Sequence, residues 1–319
     1  MDSFESILGQ DLAIKILKSA IDKKHIAPAY LFSGPEGVGR KKTAKVFIQT
    51  ILEKGINTEG TKRKIENNNH PDLLWIEPTY IVQGKSISKK ELKLENVKMK
   101  SPPQIRLNKV KEIIEFLSKK PLESDKSIVV IEDIERMNES ASNALLKTLE
   151  EPNKALFILI TQRHERLLTT IRSRCQLVPF YRLNNKNLNK IIQQVQDNQE
   201  INDIEKEKIA ELIIFSNGSP GLYLDNINFW RDIPIPLRNR IEFKLNNQFE
   251  ALNLAKEISE ELNLEQQLWL INFKQNVIWE KENDTNTIKK LEELRKQLLS
   301  YVQPRLAWEV TLLDINVIN

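Results

Sequence analysis

Two short stretches of this chain carry residues whose types and spacing could handle phosphate chemistry. The first is Gly34-Pro35-Glu36-Gly37-Val38-Gly39, set between a short apolar run, Ala29-Tyr30-Leu31-Phe32, and a helical pattern from Lys42 to Leu52. A glycine turn between a strand and a helix lets backbone N–H groups close around phosphate oxygens at the positive end of the helix dipole. In a working loop the last glycine is followed by lysine, which reaches the terminal phosphates, and then by serine or threonine, which holds magnesium. Here Gly39 is followed by Arg40 and Lys41. Arginine keeps the charge in a bulkier planar group, and Lys41 puts a cation where a hydroxyl should meet Mg²⁺. Shifting the frame to Lys42-Thr43 fails, because the place before Lys42 needs glycine and holds Lys41. The frame is that of a phosphate loop, and its residues predict a structural role, with no nucleotide or cofactor bound.

The second stretch is Ile128-Val129-Val130-Ile131-Glu132-Asp133, an apolar strand pattern ending in two carboxylates. Nucleotide-hydrolysing sites use such a pair to hold the metal and to orient water, usually as aspartate followed by glutamate. Here the order is reversed, and a methylene of displacement on each acid matters where errors of an ångström cost orders of magnitude in rate. The alternative is a solvated strand end. The one cysteine, Cys175, can form neither an internal disulfide nor a four-thiolate zinc site. With three scattered histidines offering no partner pattern, it reads as a small buried hydrophobe, and no metal site is expected.

The elements that must position these residues follow from periodicity. Apolar residues at helical spacing predict a helix over 10–24, and further short apolar runs at Leu73–Ile76, Leu156–Ile160 and Gln176–Phe180 join Ala29–Phe32 and Ile128–Ile131 as strands. Helical patterns lie between several of them, the sequence form of a parallel sheet covered by helices. After Tyr181 the pattern is helical alone. Breaks at Gly218-Ser219-Pro220-Gly221 and Pro234-Ile235-Pro236 suggest three domains, 1–181, 182–229 and 230–319, in line with 319 residues and 37.1 kDa. Residues 54–69 and 83–103, polar and lysine-rich, read as exposed insertions.

Composition excludes several classes. At 40% apolar and 29% charged the chain can bury a core, its longest apolar runs are too short to cross a membrane, and its acidic start shows no secretory signal. A cytoplasmic protein is expected. The net charge of +4 is segregated: 85–120 holds eleven basic and four acidic residues, whereas 241–319 holds nine and thirteen. A stand-alone DNA-binding protein using the basic stretch is one reading, but few aromatics are there to stack on bases.

The run Asn143-Ala144-Leu145-Leu146-Lys147-Thr148-Leu149-Glu150-Glu151-Pro152, followed by Ser173-Arg174-Cys175, resembles bacterial DNA polymerase III clamp-loader subunits of the AAA+ family. His70-Pro71-Asp72 and Gly218-Ser219-Pro220-Gly221 fit the same resemblance, which is firm over 7–222. It implies an α/β, P-loop-type AAA+ domain, a helical lid and an all-α C-terminal collar. It also implies partners: the gamma/tau and delta subunits, the sliding clamp and, through the complex, primed DNA. The subunit that hydrolyses ATP in that family is expected to have an intact loop and an arginine after the Gly-Ser pair, where this chain has Gly221. Arg40, Lys41 and the reversed Glu132-Asp133 look instead like the delta-prime type, a component of the polymerase holoenzyme that binds no ATP itself. The cysteine cluster that holds zinc in many relatives is missing, so that role is not carried over. By the same resemblance Arg174 is expected to act in trans on the ATP and Mg²⁺ of a neighbouring subunit, with Ser173 and, more weakly, Lys147 at that boundary. The alternative is an ATP-hydrolysing subunit of the gamma/tau type.

Overall fold

The computed structural model describes residues 3–52, 58–82, 84–88, 91, 102–152, 155–198, 204, 206–241, 245, 247–300 and 302–316. Contacts divide the chain into two compact units, Met1–Gln194 and Val195–Asn319.

The first unit is built on a five-stranded parallel sheet, β1 (Ala29–Ser33), β2 (Leu73–Ile76), β5 (Ile128–Ile131), β6 (Leu156–Thr161) and β7 (Gln176–Pro179), in the spatial order β2-β5-β6-β1-β7. Every residue of β1, β5 and β6 is buried. Strands covered on both faces have no solvent side, which is why they read as unbroken apolar runs. Register aligns Phe32 of β1 with Ile160 of β6 and Val178 of β7. All five strands run the same way, so everything that follows a strand emerges at one edge of the sheet and everything that precedes one lies at the other. The phosphate-loop frame, Glu132 and Thr161 therefore share the carboxyl edge, the usual ligand side of an open α/β sheet.

Helices α1 (Asp11–Asp22), α2 (Arg40–Leu52), α4 (Leu107–Ser118) and α5 (Glu139–Glu150) belong to this unit. Asn138 caps α5, its side-chain oxygen accepting the Ala141 N–H at 3.0 Å. The helix buries Ala141, Leu145 and Leu149 in one core with Leu31, Ile131, Leu159 and, from α4, Val110 and Ile113. It stops at Glu150, before Pro152, as proline requires. His70-Pro71-Asp72 serves the architecture. The buried Asp72 carboxylate accepts the N–H groups of Leu122 (2.6 Å), Glu123 (2.8 Å) and Ser124 (2.7 Å), pinning the loop that feeds β5.

The described side chains of the expected insertion over 54–69 are mostly exposed, and the stretch carries a helix that the sequence did not mark. Thr58–Glu66 is a helix, α3, and its Ile65 is buried. One apolar residue gives no periodicity, yet lysine, arginine and glutamate are good helix formers. The 83–103 insertion opens in an antiparallel ribbon of β3 (Tyr80–Val82) and β4 (Lys85–Ile87), and most of the rest lies outside the described residues.

Short helix α6 (Thr169–Arg172) and helix α7 (Asn185–Asn198) follow, and the division between units falls within α7. The second unit holds α8 (Lys206–Ser216), α9 (Pro220–Asp232), α10 (Ile235–Arg238), α11 (Gln248–Glu261), α12 (Leu264–Lys281), α13 (Thr285–Leu299) and α14 (Pro304–Asn316), with no strand among its described residues. Trp269 and Phe273 stack with centroids 5.2 Å apart, and Phe229 stacks on Trp269 at 5.6 Å. Trp308 is fully buried and donates its indole N–H to Gln267. The apolar stripes of α12 and α13 are this unit's core: Trp269, Leu270, Phe273, Ile278, Leu291, Leu294 and Leu298 are buried, while Leu299 is exposed. No helix among the described residues is long and apolar enough to cross a membrane.

Candidate functional site

β1 delivers the chain into the glycine loop at a point where backbone crowds backbone. A Cβ on Gly34 would lie 2.3 Å from the Phe180 carbonyl oxygen, so only glycine fits. Gly39 meets no such obstacle; its φ of +102° is the reason for glycine there, one residue before α2 begins. Gln10, which the sequence did not mark, holds the loop from the side. Its buried amide donates to the carbonyls of Val38 (3.2 Å) and Tyr181 (2.7 Å) and accepts the Tyr181 N–H (3.1 Å).

Arg40 opens α2 and is 6% exposed. Its guanidinium donates to the Thr161 carbonyl at the end of β6, an oxygen that also accepts the Gly34 N–H at 3.2 Å. Burial lowers the Arg40 pKa, and the carboxylates of Asp133, Glu135, Glu36 and Glu132 oppose that drop. The side chain stays a cation, directed onto protein backbone.

Lys41 pairs with Glu132. The carboxylate side chain is 5% exposed and that of the lysine 59%. The other Glu132 oxygen accepts the Trp75 indole N–H at 2.7 Å. Burial pushes the Glu132 pKa above the ordinary carboxylate value, with Lys41 and Trp75 pulling against it. Glu132 is thus no solvated strand end, the reading that sequence alone left open. Asp133 sits in a left-handed conformation, φ +44°, leads into the turn Ile134–Arg136 and pairs with Arg136 at 3.4 Å.

A magnesium-bound nucleotide does not fit these residues as they stand. The hydroxyl position carries an ammonium, the acid that would face the metal is held by that ammonium and an indole, and the loop's arginine is committed to the Thr161 carbonyl.

The residues named for the subunit boundary lie elsewhere. Arg174 precedes β7 and Glu150 precedes β6, which places both at the amino edge of the sheet, opposite the loop. Hydrogen bonds from the Arg174 and Cys175 N–H groups to Ile171 and Arg172 fix the backbone there. The Arg174 side chain, 34% exposed, pairs with Glu150 at 2.7 Å and donates to the Thr170 carbonyl at 2.8 Å. Ser173 Oγ donates to the same carbonyl at 3.1 Å. Lys147 is exposed on α5, three residues before Glu150 and hence on a neighbouring face. Glu150 stood in the sequence run without a role, because its partner is 24 residues away. Cys175 packs against the core, and burial pushes its thiol up to about 12, so it is no thiolate nucleophile at neutral pH.

The strand order, with a glycine loop after β1 and an acidic pair after β5, defines the class: an AAA+-type α/β fold continued by helices. A DNA polymerase III gamma subunit-related protein of Thermotoga maritima shares this fold, with a TM-score of 0.53 and 17% identity over 95% of this chain and 97% of that one. The family described as DNA polymerase III, delta subunit matches residues 9–184, and the one described as cyanobacterial DNA polymerase III delta prime, C-terminal domain, matches residues 186–315. The chain belongs to the DNA polymerase III delta-subunit family. It is 36% identical over 183 residues to the delta' subunit of Bacillus subtilis, covering 56% of this chain and 49% of that protein. It is 27% identical over 200 residues to the tau subunit of the same organism, covering 59% of this chain and 31% of that protein. The chain thus spans about half, or less, of the length of these curated relatives.

Proposed function

We propose that this chain works as a delta-prime-type subunit of the DNA polymerase III clamp loader, helping to place the sliding clamp on primed DNA without hydrolysing ATP itself. Its partners are the gamma/tau and delta subunits and the clamp, and it meets DNA through the complex. Residues 182–229 serve as the lid and 230–319 as the collar module that joins those of other subunits. ATP and Mg²⁺ act at the adjacent subunit, where Arg174 steadies charge that develops on the transferred phosphoryl group.

One observation carries this reading. Arg174, partly exposed on a fixed backbone, stands at the sheet edge opposite the chain's own loop, where it can serve a neighbour's nucleotide but not its own. In a reconstituted complex, Arg174→Ala should assemble normally and lose the turnover of the one ATP site it faces, since an arginine in trans contributes about 10³-fold or more to phosphoryl transfer. Total turnover falls by less, because the other sites keep their own arginines. Clamp loading at the parental rate by a normally assembled variant would remove the trans role; failure to assemble would make Arg174 structural.

A further inference from the structure

The two departures at the nucleotide loop meet each other in space. Lys41 stands where a working loop has a hydroxyl, and Glu132 where a working strand end has the shorter aspartate, and the two side chains form an ion pair. A hydroxyl at 41 would leave the buried carboxylate in need of a cation from solution. The lysine carries that charge on the chain itself, and the extra methylene of Glu132 extends the acid toward the first turn of α2. Trp75 closes the arrangement by donating to the second oxygen at 2.7 Å, and with Arg40 hydrogen-bonded to the Thr161 carbonyl, Lys41 is the cation that pairs with this carboxylate among the described residues.

We infer that the Lys41 ammonium is a resident replacement for the divalent cation of a nucleotide loop, and that the Lys41–Glu132–Trp75 unit ties α2 to β5 so that the loop keeps its shape with no ligand bound. This rests on, and deepens, the reading of the chain as a subunit that binds no ATP.

The asymmetry of burial makes the inference testable in the full-length protein. Lys41→Met strands a buried carboxylate, whereas Glu132→Gln releases a lysine that can turn to water. Lys41→Met should therefore lower the thermal midpoint by ~5 °C or more and Glu132→Gln by ~2 °C or less, with the double variant close to Glu132→Gln. Hydrogen exchange in peptides covering 40–52 and 128–133 should assign the loss to this region. In Lys41→Thr, millimolar MgCl₂ should restore most of the lost midpoint, and adding Glu132→Gln should abolish the recovery. The parental protein should be indifferent to Mg²⁺. Equal midpoints for Lys41→Met and the double variant, or Mg²⁺ stabilising the parental protein as much as Lys41→Thr, would overturn the inference. Mg²⁺-dependent ATP binding by the parental protein would instead overturn the nucleotide-free reading, whatever the coupling between 41 and 132.

Discussion

Asp72 shows how a charged residue in a recognisable run can serve shape alone. Its carboxylate is buried, which raises its pKa, but the N–H groups of Leu122, Glu123 and Ser124 outweigh that and hold it below the ordinary carboxylate value. A depressed folded-state pKa means that the ionised form stabilises the fold. That contribution is complete above the unfolded value of about 4 and drains away as pH falls through the folded value. Asp72→Asn should cost about 2 to 3 kcal/mol at pH 7 in urea unfolding, and its stability should fall less steeply than the parental protein's below about pH 4. Parallel acid profiles would show that Asp72 is not the group responsible. The same distance problem limited what the sequence could say at the site. Arg40, Lys41 and the reversed acids were legible as departures from a loop that binds phosphate. Their pairings were not, because which carbonyl Arg40 meets and which ammonium Glu132 meets depend on β6 lying between β1 and β5, an order that residue spacing does not encode.

At the scale of elements, legibility followed periodicity and burial. Strands β1, β5 and β6 were readable because strands enclosed on both faces are continuous apolar runs, whereas β2 and β7, only partly buried, were readable from their short apolar stretches. Helix α5 was readable from cap to stop: Asn138, a stripe of Ala141, Leu145 and Leu149, and Pro152 beyond. Asn138→Ala should lose about 1 kcal/mol, seen as a lower urea midpoint with an unchanged slope, since one Ala141 N–H loses its partner. No change in the midpoint would mean that solvent replaces the cap at no cost. Helix α3 was missed because its polar residues hide a helix whose one buried anchor is Ile65, and the β3–β4 ribbon was missed because strands of three residues are shorter than any pattern.

At the scale of the molecule, Met1–Gln194 encloses its own sheet, core and candidate site. A fragment ending at residue 194 should fold by itself, with cooperative unfolding and the hydrogen-exchange protection of β1, β5 and β6 seen in the full chain. A fragment with helical circular dichroism but no cooperative transition would show that the second unit is needed for the first. The loop within the first unit decides whether the chain is an ATPase. In the proposed reading Arg40 and Lys41, engaged by Thr161 and Glu132, are not offered to a magnesium-bound nucleotide. Isothermal titration of ATP with MgCl₂ into the full-length protein tests this most directly. No saturable heat is expected at millimolar nucleotide, whereas Mg²⁺-dependent, saturable binding in the low micromolar range would contradict a closed loop and favour an ATP-hydrolysing subunit of the gamma/tau type.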